Sequence, residues 1–176
     1  MQSPKVTLQA ITIADAESLF SIIDKDRAYL REWLPWLDYS TSVANTAAFI
    51  AECEKEYAEN RGYVATIRCA GIVVGTISLN RIDGINKHCS IGYWLDSSRQ
   101  GEGIMTEATK QIVDIGFKEF DLNRIEIYCG VENKPSRSIP ERLGFEYEGV
   151  LKQREWLYDH FVDHALYSML KPNWPS

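Results

Sequence analysis

No CxxC spacing links Cys53, Cys69, Cys89 and Cys129, and no secretory signal precedes them, so reduced thiols in the cytosol are the expected state. Basic charge is also short. Lys and Arg total 19 against 25 Asp and Glu, a formal net charge of -6. A net anion is not drawn to a phosphate backbone, which argues against a nucleic-acid partner. It suits a basic substrate, as acidic proteins in general do. No apolar run nears the roughly 20 residues of a membrane span. Met1-Gln2-Ser3-Pro4-Lys5 lacks the apolar stretch of a leader. A cytoplasmic protein without a membrane partner is expected.

What is present is a chain of 176 residues, 45% hydrophobic and 25% charged, the profile of one soluble domain over residues 1–176 with a single core. Its organising stretch is Gln100-Gly101-Glu102-Gly103-Ile104-Met105-Thr106, directly after the strand-like run Ile91-Gly92-Tyr93-Trp94-Leu95. Ile104, Ala108, Ile112 and Ile115 then recur at helical spacing. A helix opened by glycines presents unpaired N–H groups and the positive end of its dipole, a setting suited to a phosphate. The same pattern also fits an ordinary strand-to-helix turn. No Lys-Ser or Lys-Thr follows Gly103, and Thr106 stands where a dinucleotide fingerprint needs glycine, so two well-known phosphate loops are excluded.

Along the chain, Val6 to Ile11 reads as a strand, and a helix opens at Thr12 or Ala14-Asp15. An aromatic-rich segment, Tyr29 to Leu37, is broken by Pro35. Its Trp33 and Trp36 either line an acceptor cleft or pack into the core. Thr46 to Glu59 is an amphipathic helix with Phe49, Ile50, Cys53 and Tyr57 on its apolar side. Tyr63 to Arg68, Ile72 to Ile82 and His88 to Leu95, joined by short turns, form an antiparallel meander. Arg124 to Cys129 is a strand, Asn133 caps a short helix kinked by Pro140, and Gly144 ends it. Phe145 to Leu157 and Phe161 to Leu170 form a final hairpin turning near Tyr158-Asp159-His160. The fold class is α/β (α+β), with a mixed, mostly antiparallel sheet.

That element order resembles the GNAT acetyltransferases, as does the loop, with Gln100 and Gly103 in the first two family positions and Met105 in the third. Leu30-Arg31-Glu32-Trp33-Leu34-Pro35-Trp36, Ile91 to Asp96, Asn133-x-x-Ser136 and Leu143-Gly144-Phe145-x-x-Glu148-Gly149 resemble the RimJ/RimL group of ribosomal-protein N-terminal acetyltransferases. The resemblance implies a seven-stranded sheet with splayed central strands and acetyl-CoA as co-substrate, with no metal. It gives Tyr93, Trp94 and Leu95 to the pantetheine arm and acetyl carbonyl, and Gln100, Gly101, Glu102, Gly103, Ile104, Met105 and Thr106 to the pyrophosphate. A backbone N–H at the thioester oxygen would stabilise the oxyanion. Glu102 is expected to point away from the phosphates, which would repel it. Asn133 would hydrogen-bond pantetheine.

The implied reaction is N-acetylation of a primary amine, such as the α-amino group of a ribosomal or other protein. By the same resemblance Glu155 is the general base, Ser136 the donor to the departing thiolate, and Trp33, Trp36 and Trp156 the acceptor contacts. Many relatives use a tyrosine as donor where Pro140 stands. Cys129 matches a cysteine near the family's active site and offers a covalent route, although direct attack is the expected one. A homodimer is implied too. The alternatives are a small-amine acceptor (polyamine or aminoglycoside) or an acyl-CoA-binding module without turnover. His160 and His164 have i, i+4 spacing, but in a strand they would lie about 13 Å apart, so metal binding is not expected.

Overall fold

The computed structural model describes residues 5–175. The leader expectation for Met1 to Pro4 therefore lies outside the described residues, as does Ser176. Seven strands form one sheet in the order β1-β2-β3-β4-β5-β7-β6: β1 (Val6–Ala10), β2 (Tyr63–Cys69), β3 (Ile72–Asp83), β4 (His88–Leu95), β5 (Arg124–Gly130), β6 (Glu146–Leu157) and β7 (His160–Leu170). Among the described residues only β4 and β5 pair in parallel; every other neighbouring pair is antiparallel. A parallel pair requires a crossover, and α4 (Ile104–Lys118) supplies it.

Helix α4 covers one face through Ile104, Ala108, Ile112, Val113 and Phe117, all at most 3% exposed. They pack on Ile77, Leu79, Ile91, Ile125 and Ile127 in the main core. α5 (Lys134–Arg142) lies on the same core through Ile139. On the other side, α1 (Ala16–Lys25) and α3 (Val43–Ala58) bury Ala16, Leu19, Ile50 and Cys53 in a second cluster. Burying one side chain of this size stabilises by ~1.5–3 kcal/mol before the entropy of ordering is subtracted.

Some elements depart from the sequence expectation. A short helix, α2 (Arg27–Arg31), runs into the start of the aromatic segment, and a 3-10 turn, Leu37–Tyr39, begins at its last residue. α3 starts three residues before Thr46, because Ser42 extends as N-cap and its hydroxyl accepts from Asn45 N–H at 3.2 Å. Phe49 and Tyr57 are 53% and 48% exposed rather than core-facing, leaving Ile50 and Cys53 to anchor that helix.

Candidate active site

β4 and β5 pair only from His88–Arg124 to Ile91–Ile127. Beyond that point Gly92–Leu95 and Tyr128–Gly130 diverge, and the notch opens into a cavity of about 1140 Å³. Every residue assigned to the site from sequence lines this cavity except Trp156. Adjacent residues of a strand point to opposite faces. Glu155 faces the cavity, whereas Trp156 turns away and packs against Phe161 with ring centroids 4.8 Å apart. Trp156 is therefore not an acceptor contact within this cavity.

At one end the glycine loop meets α4. Gly101 and Gly103 hold φ of +75° and +77°, a region that admits other residues only with strain. The first α4 bond runs from Glu107 N–H to Gly103 O, so the N–H groups of Ile104, Met105 and Thr106 have no acceptor within the helix. Ile104 and Met105 are buried, so the bulk of Met105 goes into the core rather than over the loop. Glu102 turns its carboxylate to Arg99 at 2.9 Å, and this pairing holds the carboxyl below the usual range. The loop base is fixed by Asp26, which accepts from Ser97 N–H at 2.6 Å and Ser97 Oγ at 2.9 Å. Tyr29 OH accepts from the Gln100 amide. Lys5, Arg99, Lys110 and Arg142 also line this end, and Arg142 donates to Thr106 Oγ1 at 2.6 Å. Although the chain is a net anion, N–H groups without a helical acceptor lie here beside Lys5, Lys110 and Arg142, with Arg99 paired to Glu102 and Glu107 the remaining acid, a setting suited to a phosphate.

The middle of the cavity is organised by an atom that is missing. Pro140 has no N–H, so the Ser136 carbonyl, which would accept from it in a helix, is left open. Tyr93 OH donates to that carbonyl at 3.0 Å. Ser136 Oγ lies 3.3 Å from both Tyr93 OH and Cys129 Sγ. The three side chains thus form one hydrogen-bonded group from β4, β5 and α5. Burial, followed by the neighbouring Cys129, pushes the Tyr93 hydroxyl well above its ordinary value. Burial likewise raises the Cys129 thiol, offset in part by its bonds to Ser136 and Tyr93. A thiol held neutral is a poor nucleophile. The Asn133 side chain caps α5 by accepting from Ser136 N–H at 3.2 Å while lining the cavity.

At the far end stand the aromatic residues. The Trp33 ring lies over Gly130, where an added Cβ would meet Cζ3 at 2.9 Å. Trp36 packs on Trp94 with centroids 6.4 Å apart and against a small cluster of Ile23, Leu30 and Leu37, so it serves the core as well as the cavity wall. The β6–β7 turn closes on this segment: Tyr158 OH donates to Leu34 O at 2.5 Å, and Arg31 stacks 3.6 Å from the Tyr158 ring centroid. Glu155 faces His164, with Oε2 and Nε2 3.4 Å apart. Tyr128 also lines the cavity and donates to Glu126 at 2.5 Å. Burial, then that bond, raises its hydroxyl to about 12.

Tyr29, Lys110, Tyr128, Arg142 and His164 were not singled out for this site from sequence. His160 and His164 make separate pairs, with Asp159 and Glu155. Among the described residues no group of three or more His, Cys, Asp or Glu is placed to hold a metal.

A family model, the acetyltransferase (GNAT) domain, matches residues 5–146. The putative ribosomal N-acetyltransferase YdaF of Bacillus subtilis (strain 168) is 35% identical, over 96% of this chain and 93% of its own. The ribosomal-protein-serine acetyltransferase of Escherichia coli (strain K12) is 32% identical, over 96% and 94%. Among solved structures, RimL, a ribosomal L7/L12 alpha-N-protein acetyltransferase in complex with coenzyme A, superposes with TM-score 0.90 at 30% identity, covering 94% of this chain and 93% of that one. The notch, the loop and these likenesses agree: the chain belongs to the GNAT acetyltransferase family and is an acetyl-CoA-dependent N-acetyltransferase.

Proposed function

We propose that the enzyme acetylates the N-terminal α-amino group of a ribosomal protein, by direct attack of the amine on acetyl-CoA with Glu155 as general base. The observation that carries this reading is that Glu155 and the Tyr93–Ser136–Cys129 group line one cavity, at the notch between β4 and β5. Gln100 to Thr106 would bind the pyrophosphate through backbone N–H groups, with the cations around them adding charge. The pantetheine arm would then run between Tyr93–Leu95 and Asn133.

The incoming group is largely an ammonium at neutral pH and must lose a proton before its lone pair can attack. Glu155 accepts that proton, directly or through a water. The new N–C bond forms at the thioester carbon as its oxygen takes up negative charge, which a backbone N–H of β4 stabilises. Collapse breaks the C–S bond; the departing thiolate takes a proton from Ser136 Oγ or from water, and the second proton that the nitrogen sheds as the amide forms replaces it on that donor. Cys129, kept neutral by burial, stays outside the covalent sequence. The proposed assembly is a homodimer, supported if sedimentation gives twice the 20.1 kDa of one chain and overturned if it gives one.

The acceptor is tested by following CoA release with peptides carrying free N-terminal serine or alanine, beside polyamines and aminoglycosides. Fastest turnover with a ribosomal N-terminal peptide is the expected result. Turnover confined to a small amine overturns the acceptor assignment. Tight acetyl-CoA binding with no turnover on any acceptor leaves only a binding module.

A further inference from the structure

His164 has no part in the chemistry above, yet it stands beside the carboxylate on which that chemistry depends. It lies on β7 across from Gly130 of β5 and Leu151 of β6, with its side chain 13% exposed. Its Nε2 is 3.4 Å from Glu155 Oε2.

The local backbone is built to make this pair. Leu151 registers with His164, and Glu155 registers with Val162, so three residues of β6 span the place of one on β7. This bulge is held, not frayed: Gln153 sits at φ +48°, and its N–H donates to Asp163 Oδ1 at 2.7 Å. A bulge re-aims the side chains that follow it. Here it keeps Glu155 on the His164 face and shortens the path between them. Gly130, opposite His164, adds no side chain of its own to crowd the imidazole.

We infer that His164 is the positioning residue for the Glu155 carboxylate. A glutamate near the end of a hairpin, 32% exposed, has several rotamers open to it. An imidazole N–H facing Oε2 selects one of them and leaves Oε1 to take the proton from the amine. No proton passes through His164 in this scheme, so the proton balance of acetyl transfer is unchanged. This role rests on Glu155 being the base, and the test separates the two.

The experiment measures kcat and KM for His164→Leu, His164→Gln, Glu155→Gln and the double variant Glu155→Gln/His164→Leu. It uses acetyl-CoA and the fastest acceptor of the panel above, with thermal melting recorded for each variant. His164→Leu should lower kcat about tenfold and leave KM for acetyl-CoA in place. His164→Gln, which restores an N–H at similar reach, should recover most of that loss. In the Glu155→Gln background, His164→Leu should cost nothing more. Full kcat in His164→Leu overturns the role, as does an equal loss in both backgrounds or a His164→Gln no better than His164→Leu. Full activity of Glu155→Gln overturns both readings, whereas a defective Glu155→Gln beside an unaffected His164→Leu overturns the positioning role alone.

Discussion

At Gly130 the absent Cβ lets the Trp33 ring settle over the end of β5, since an added methyl would meet Cζ3 at 2.9 Å and Cε3 at 3.1 Å. Gly130→Ala must therefore push Trp33 toward the cavity or force β5 to shift. The expected outcome is an acceptor KM raised about tenfold, equivalent to ~1.4 kcal/mol. The acetyl-CoA dissociation constant should stay in place, because the loop and α4 are untouched. Steady-state kinetics against each substrate checks this, and a selective loss on acetyl-CoA would contradict it. Pro140 acts in a similar way, through an N–H it does not have. The carbonyl it leaves free holds Tyr93 OH, and Tyr93 in turn sits beside Ser136 Oγ. Pro140 and its effect on Ser136 were legible in the sequence, because a helix bond is a local, i to i+4 matter. The hydroxyl that fills the gap comes from β4 and was not.

Among the elements, α4 and its loop were the most legible, because two glycines and a 3.6-residue period fall within one short stretch. The hairpin of β6 and β7 was less so. Strand parity alone separates Glu155 from Trp156, since neighbours in a strand cannot share a face. His164 needed the register, because the bulge between Leu151 and Glu155 decides which side chains meet. The other end of the same three strands carries a charge network: Arg124 of β5 donates to both oxygens of Glu148 of β6 at 2.7 and 2.8 Å, and Ser168 of β7 joins at 2.5 Å. Arg124, then Ser168, lowers the Glu148 carboxyl from an ordinary 4.5 to about 2. A depressed folded value contributes stability that is complete above the ordinary value and lost as pH falls through the folded one. That window runs from 4.5 down to about 2. Glu148→Gln is expected to cost about 1 kcal/mol at pH 7, kept small because the side chain is 32% exposed and water screens the pair. It should also flatten the acid limb of a stability curve measured by urea unfolding. An acid limb unchanged from that of the parent protein would contradict this.

At the scale of the whole molecule, one seam between β4 and β5 separates two chemistries. On the α4 side, cations and free N–H groups gather in a chain whose net charge is -6. Beside Trp33 and the β6–β7 turn, the wall is aromatic, with one carboxylate facing one imidazole. The seam exists because parallel pairing stops at Ile91–Ile127, a meeting of residues 36 apart in the chain that no local pattern announces. Loss of turnover without loss of acetyl-CoA binding is the signature of a base on the acceptor side. The most direct measurement is kcat for Glu155→Gln beside its acetyl-CoA dissociation constant. A fall in kcat of about 10²–10⁴-fold with an unchanged dissociation constant is expected. Undiminished turnover from pH 6 to 9 would contradict the account.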